Sequence, residues 1–516
     1  KSEFYNFSGS EITDEINFTY SDINKKSSNK IQLGLDYYLS DELTLNWELG
    51  FDSNLKDETG YQDLSATAWD IEAGESATDQ KIYNSSGIDD NSNYDSEGIF
   101  ELTKTFSNYP DREVFFSFSH HNHDDYETQS LLFTDSNDPD GNRDESTLLT
   151  NDLGMYELEF NYKIPLSDQE KFEFGYDGDF VSTIQKMDFE LEGLSGINNF
   201  DYNRDIHAFF MEYDLELSNK ISIKPSARYE ILSRSIKSNI DNYNDSDFEA
   251  STDTSPLALY IQFEAENPVP EQNYEKNTLY PALNVTYNIN KKQSLQFGIS
   301  KRVDRPGSFG HGWGKMKIRP FPKDIYSQGF VFLGNPDLRP EYSTQYDLSF
   351  KSPAPMGFFT SSIFYHDITD KIEWYDDDRF SNKDILTFQN AEKAYKHGAS
   401  FFLLIAGQVL GGTYSKDSLS DRSGDYELNE GSIFKNMYFQ MRFPEQYMSP
   451  YVKWWKFDFE YGFYWMQIKT PTGTLFGDNG TLWAELSLSK QFLDNRLRVS
   501  LSVNNLNNNP GFQMFR

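Results

Sequence analysis

The segment HHNHDD, residues 120–125, crowds His120, His121, His123, Asp124 and Asp125 into a short span. On an extended chain side chains alternate faces, so His121 and His123 share one. Two imidazoles on one face hold a transition-metal ion once a third ligand stands beside them. The sequence places none in view, and a polar strand end is the default reading. A second cluster, DPDGNRD, sets Asp138, Asp140, Asn142 and Asp144 at alternate positions around Gly141. Oxygen ligands around a glycine turn suit Ca²⁺. The stretch is not an EF-hand, because Ser136 and Thr147 would take the first and twelfth ligand positions. A solvated acidic loop competes with the calcium reading. A third segment, HGWGKMKIRPFPK (311–323), is locally basic: Lys315, Lys317, Arg319 and Lys323 lie beside His311 and Trp313. It could hold an anionic or aromatic ligand, or serve as an internal ion-pair partner for acidic loops. No nucleophile–base pair and no phosphate loop stands out, so the chemistry on offer is binding and not catalysis.

The elements that would position these residues are strands. WWKFDFEYGFYWMQIK (454–469) puts Phe457, Phe459, Tyr461, Phe463 and Trp465 on one face and Asp458 and Glu460 on the other. YELEFNYKI (156–164) sets Glu157 and Glu159 opposite Tyr156, Leu158, Phe160 and Tyr162. FMEYDLEL (210–217) sets Glu212, Asp214 and Glu216 opposite Met211, Tyr213, Leu215 and Leu217. Such period-two runs are the strand signature, and no long helical period accompanies them. Aromatics reach 16% although mean hydropathy is only −0.69, a mixture rich in strand formers. The 516 residues carry 82 acidic and 46 basic side chains, a net charge of −36 that would repel nucleic acid. Cysteine is absent, which excludes disulfides and thiolate metal sites. No run approaches the length of a transmembrane helix, and the absence of an initial Met and of a signal peptide suggests a processed or truncated piece.

Connections alternate in length. Tight turns fall near 40–42, 108–111, 167–170, 218–220, 290–292, 353–355 and 494–496. Long polar excursions fall near 54–94, 122–151, 236–276 and 304–341. The expectation is an all-β fold: a large antiparallel transmembrane β-barrel of about sixteen or seventeen visible strands, with short periplasmic turns and long extracellular loops. The aromatic face then meets lipid. Glu157, Glu159, Glu212, Asp214, Glu216, Asp458 and Glu460 form an acidic lumen wall, suited to a basic plug, a basic partner segment or cationic solutes. Backbone groups in lipid must all be paired, so such a sheet must close.

Two stretches carry more than pattern. YPALNVTYNINKKQSLQFGISKRVDRP (280–306) and GNPDLRPEYSTQYDLSF (334–350) resemble the barrel domain of TonB-dependent outer-membrane receptors, and more closely the outer-membrane β-barrel family common in Bacteroidota. FNYKIPLSDQEKFEFGYDGDF (160–180) and TFQNAEKAYKHGASF (387–401) resemble further segments of that family. The resemblance covers most of the chain. It implies a bacterial outer-membrane barrel of about 22 strands, closed by an N-terminal plug, energised by an inner-membrane protein, and importing a scarce ligand. The Gly334–Glu341 motif itself reads as backbone punctuation, since Pro336 and Pro340 restrict their neighbours and Glu341 opens a strand.

Three departures shape the expectations. No plug precedes residue 1, and the terminal strands look incomplete. Residues 407–452 stand where a tight periplasmic turn belongs. Phe434, Met437, Tyr438, Phe439, Met441 and Phe443 suggest that they form an ordered periplasmic insert. The insert and the missing plug motivate a second function class: a structural barrel, its transport role lost, that scaffolds a surface complex with lipoproteins or other outer-membrane subunits.

Overall fold

Strands with one apolar and one polar face can satisfy their backbone only by pairing with neighbours. The computed structural model describes residues 2–8, 11–68, 80–109, 111–135, 143–191, 194–244, 269–307, 318, 331–376, 385–405, 408–419, 429–443, 452, 456–470, 473–475, 481–492, 497–503 and 514–515. Among them every regular element is a strand. In chain order these are β1 (Ser2–Ser8), β2 (Glu11–Ser40), β3 (Leu43–Ala68), β4 (Gln80–Thr105), β5 (Glu113–Asp135), β6 (Arg143–Ser167), β7 (Glu170–Leu191) and β8 (Leu194–Ser218). Then come β9 (Ile221–Asn244), β10 (Val269–Asn290), β11 (Gln293–Asp304), β12 (Val331–Leu333), β13 (Glu341–Ala354), β14 (Gly357–Asp376) and β15 (Ile385–Ile405). The last are β16 (Gln408–Leu419), β17 (Asn429–Phe443), β18 (Asp458–Thr470), β19 (Gly473–Leu475), β20 (Thr481–Phe492), β21 (Leu497–Val503) and β22 (Met514–Phe515).

All belong to one sheet. Each long strand pairs antiparallel with the next long one; β11 meets β13 and β18 meets β20 across the short β12 and β19. Only β12 is parallel, lying along the first residues of β15. The turns expected near 40, 167, 218, 290 and 354 are there, two residues each between paired strand ends.

The long excursions are not loops throughout. β3 runs to Ala68, β5 to Asp135 and β9 to Asn244, while β4, β6 and β10 start at Gln80, Arg143 and Val269. β2 has 30 residues and β3 and β4 have 26, whereas about 9–11 tilted residues cross a bilayer. In the extensions alternation fades because no apolar solvent selects one face, so sequence periodicity misses strands that backbone pairing maintains.

The expected insert at 407–452 is corrected. β15 turns directly into β16, with Ile405 opposite Gln408. β16 pairs with β17, and β17 pairs with β18 over Ile433–Phe443. The tight turn was therefore where parity required it, and a hairpin follows. β16 hid because Gly412 interrupts its apolar face and Gly411 its polar one. The Tyr438 ring covers Gly411 so closely that a Cβ there would lie 2.3 Å from it, and Phe401 lies over Gly412. Neighbouring rings supply the surface that the strand lacks. With this hairpin the described residues hold seventeen strands of twelve residues or more, beside the seven-residue β1 and β21.

Register sorts the side chains into two faces. Met437, Phe439, Met441 and Phe443 stand opposite Trp465, Phe463, Tyr461 and Phe459, which face Leu482, Ala484, Leu486 and Leu488 on β20. On the reverse side Gln440 and Arg442 stand opposite Gly462 and Glu460, and Glu485 and Ser487 follow. Phe457 lies in the bend that precedes β18 and not in the strand. Elsewhere Phe209, Met211, Tyr229, Ile231 and Leu279 share the apolar face and are exposed. Phe200, Tyr202, Ile206, Ala208, Leu232 and Ile236 are buried on the polar one.

Candidate functional site on the polar face

The polar face of β6–β9 is a lattice of opposed charges. Register sets Glu157 against Asp179 and Glu159 against Asp177, like charges directly across a ladder, an arrangement that destabilises a sheet unless cations intervene. Two arginines do. Arg204 on β8 donates through one terminal nitrogen to both oxygens of Asp179, at 2.9 and 2.7 Å. Arg228 on β9 pairs with Asp177 and donates from Nε to Glu230 at 2.8 Å. Glu230 is buried and also takes Arg305, from the segment just after β11. Glu212 pairs with Lys224 at 2.5 Å, and Glu460 with Arg442 at 3.2 Å. Ser119 donates to Glu157 at 3.3 Å. Asp214 stands opposite Lys171, Glu216 opposite Ser222, and Asp458 opposite Ser489. The expected acidic residues thus share one face, and three of the seven, Glu212, Asp214 and Glu460, stand beside cations. Near the short turns Glu212, Asp214, Glu173, Lys163, Lys171 and Lys224 line a cavity of about 360 Å³.

A second cluster is built by the Gly334–Glu341 segment. Its turn closes with Asp337 N donating to Asn335 Oδ1 at 2.9 Å, and Asn335 Nδ2 reaches Phe388 O at 2.9 Å. Leu338 is fully buried, and its carbonyl accepts from Arg234 Nη1 at 2.9 Å. The Arg234 guanidinium also lies 5.1 Å from the Tyr274 ring centre, within cation–π range. Pro and Gly in this motif act as punctuation, as expected, and the segment also docks by its backbone. Beside it, Lys276, Lys301, Lys393, Tyr342 and Asp367 line a cavity of about 490 Å³.

HHNHDD divides between faces. His120 lies over Gly98 on the apolar side. His121 and His123 project together on the polar side, where β4 supplies what the sequence did not show: Asp95 stands directly opposite His123.

Of the other expected site residues, His311, Trp313, Lys315, Lys317 and Arg319 lie outside the described residues, as do Asp138, Asp140 and Asn142. Asp144 sits in β6 with its backbone opposite Leu132. Arg204, Arg228, Arg234, Glu230 and Arg305 were missed by the sequence reading. Their only local signal is an arginine at a polar-face position of an otherwise acidic or apolar strand.

A model for the outer membrane protein beta-barrel family matches residues 104–514. The chain belongs to that family. Its place is the bacterial outer membrane, and its fold is a large antiparallel transmembrane barrel. The ferric yersiniabactin uptake receptor FyuA from Yersinia pestis is 11% identical, with a TM-score of 0.52, over 94% of this chain and 74% of that one. FpvAI, in its complex with pyocin S2, gives 11% identity and a TM-score of 0.53 over 94% of this chain and 68% of that one. At such identity the likeness is one of fold. No curated protein matches this family member.

Proposed function

We propose that this barrel belongs to a surface receptor that binds a scarce ligand and imports it with energy from the inner membrane. The observation that carries the reading is the half-buried charge lattice of Asp177, Asp179, Arg204, Arg228, Glu230 and Arg305 on the polar face. On this reading that face lines the lumen, and the apolar rows from Phe459 to Trp465 meet lipid. A barrel of eighteen or more strands is wider than its side chains can fill, so its lumen holds water or a plug. A wall of paired ions suits either, and its surplus acids suit a basic plug surface. The fold shared with an uptake receptor for a ferric siderophore supports import. The basic segment with His311, Trp313, Lys315, Lys317 and Arg319 falls between β11 and β12 in the sequence, and on this reading its cations and indole would bind the ligand. On this reading the segment with Asp138, Asp140 and Asn142, and Asp144 at the start of β6, would offer oxygen ligands to a structural Ca²⁺. The partners of this reading are a plug, an inner-membrane energy transducer and, at the surface, lipoproteins. Of the two grounds for the scaffold alternative, the insert and the missing plug, the first is gone, because 408–419 and 429–443 are barrel strands, and the receptor reading stands ahead.

The test uses the full-length protein in its own cells. Strains with and without the gene are fed radio-iron-labelled ferric siderophores and haem, with and without a protonophore. Receptor function requires that uptake of at least one ligand be lost with the gene and be stopped by the protonophore. Unchanged uptake of all of them, with the protein migrating only in a large complex on native gels, would replace the receptor with the scaffold.

A further inference from the structure

We infer that Asp95, His121 and His123 form a binding site for a divalent first-row transition metal on the polar face of β4 and β5. Antiparallel register places His123 opposite Asp95 and His121 opposite Glu97, so both imidazoles and the Asp95 carboxylate leave the sheet on the same side. His123 Nδ1 lies 2.6 Å and His121 Nε2 3.6 Å from Asp95 Oδ1. The two rings are nearly parallel, 10° apart, with centroids 6.4 Å from each other. One donor atom from each of the three residues fits within 4.8 Å of the others. An ion with bonds of about 2.0–2.2 Å to imidazole nitrogen and carboxylate oxygen draws such donors in by side-chain rotation alone, because all three stand on adjacent, hydrogen-bonded strands.

The neighbours of this trio point the same way. Asp52 on β3 stands opposite Asp95, and Asp125 follows His123 on the same face of β5. Asp52 Oδ1 and Asp125 Oδ1 are both buried without a hydrogen-bond donor. Two unsatisfied carboxylate oxygens flanking a His–Asp pair are costly in the absence of a cation. Lys30 on β2 stands opposite Asp52, and its Nζ lies 3.8 Å from Glu97 Oε1. A bound dication would supply the partner that Asp52 Oδ1 and Asp125 Oδ1 lack among the described residues.

The donor set selects the ion. Two imidazoles and a carboxylate suit zinc, nickel, copper or ferrous iron, and an all-oxygen calcium or magnesium shell does not contain them. Three protein ligands leave a coordination position for water or for a donor atom of an incoming chelate. His121 is 40% exposed and His123 17%, so the site is open to the polar face. This inference stands apart from the uptake reading, since a metal site on the barrel wall needs no plug and no energy coupling.

The test is titration of Zn²⁺ into the purified full-length protein in detergent micelles, followed by calorimetry, with Co²⁺ as a spectroscopic probe. One equivalent binds. His121→Ala, His123→Ala and Asp95→Asn each weaken it by about a hundredfold or more, beyond the loss typical of outer-shell changes. His120→Ala, on the opposite face, leaves it unchanged. Heat-modifiable migration on gels shows which variants still form the barrel. For any that do not, X-ray absorption of the zinc-loaded native protein decides by the number of imidazoles in its shell. Undiminished binding in a folded His121→Ala/His123→Ala double variant, or a zinc shell without two imidazoles, overturns the site.

Discussion

The side chain of Asn390 holds the main chain of Arg339 from both sides: Arg339 N donates to Asn390 Oδ1 at 2.9 Å, and Asn390 Nδ2 donates to Arg339 O at 2.9 Å. The same Nδ2 reaches Asp370 O at 2.7 Å, and the Arg339 guanidinium pairs with Asp370 at 2.6 Å. Asp370 itself sits at φ 55, at a break in the β14–β15 ladder across which Thr369 and Lys371 keep the same register with Lys393 and Ala391. A loop motif at 334–341 and a strand motif at 387–401, far apart in sequence, are thus two halves of one clamp. It fixes where the chain re-enters the sheet at Glu341.

Asn390→Ala removes three hydrogen bonds at once. Arg339 is exposed, so water replaces part of them and the loss is about 1 kcal/mol, not the several expected for a buried site. The larger effect is local. Cleavage by added protease within 331–341 should rise while the barrel's overall denaturation midpoint moves little. A clamp that contributes nothing leaves the cleavage rate of Asn390→Ala equal to that of the native protein.

Facing of β18 is tested by charge. Arginine at Phe459, Tyr461 or Phe463 puts a cation into the apolar rows formed with β17 and β20. Near the bilayer midplane that costs about 2–4 kcal/mol, and toward either interface about 0–1. Tyr464→Arg, on the reverse face beside Trp483, loses ring contact but gains water, and falls well below the midplane value. Urea unfolding in lipid vesicles measures the difference. Equal costs on the two faces would contradict a lipid-facing aromatic row.

What the sequence disclosed and what it hid follow from the same physics. Phe459 to Trp465 and Met211 to Leu217 alternate because one side of each strand lacks water, and such positions were legible. Strand extensions such as 54–68 and 122–135 run past the length that a bilayer selects and carry no period, so they read as loops. β16 carries Gly412 where alternation needs an apolar residue and Gly411 on the reverse face, and the rings of Phe401 and Tyr438 on adjacent strands cover them. The site was half legible for the same reason. His121 and His123 are two apart and visibly share a face. Asp95 lies across a ladder whose register is set by the β4–β5 pairing, and no local rule counts residues across a turn of unknown length.

Glu230 is the junction of the charge lattice. It is 6% exposed and accepts from Arg228 and Arg305. Glu230→Gln leaves two guanidinium groups facing a neutral amide. Removing one partner of a buried pair costs about 3–5 kcal/mol. Arg228 is 35% exposed and Arg305 21%, so water takes up part of the charge, and about 2–3 kcal/mol is expected. Glu230→Leu costs more than Glu230→Gln, because it also removes the acceptor oxygens. Arg305→Leu added to Glu230→Leu should recover part of that loss, which denaturant unfolding of the four variants reads as a double-mutant cycle. Strict additivity of the two changes would show that Arg305 and Glu230 do not interact.

Glu42 ties the first short turn to the next one along the barrel rim. Its carboxylate accepts from Lys104 Nζ at 2.7 Å and from the Ser107 amide at 2.6 Å. The hydrogen bond from Lys104, then that from Ser107, holds its pKa at about 2 against an ordinary value of 4.5. A carboxyl group depressed on folding binds fewer protons in the native state than in the unfolded one. Its contribution is therefore complete above pH 4.5 and is lost as pH falls through about 2. Titration of the Glu42 side-chain carbon by NMR in micelles should find a midpoint near the lower value, with the Ser107 amide exchanging faster below it. Lys104→Ala removes the first of these causes and moves the midpoint up. A native midpoint in the ordinary glutamate range would show that the two turns are not joined through this side chain in solution.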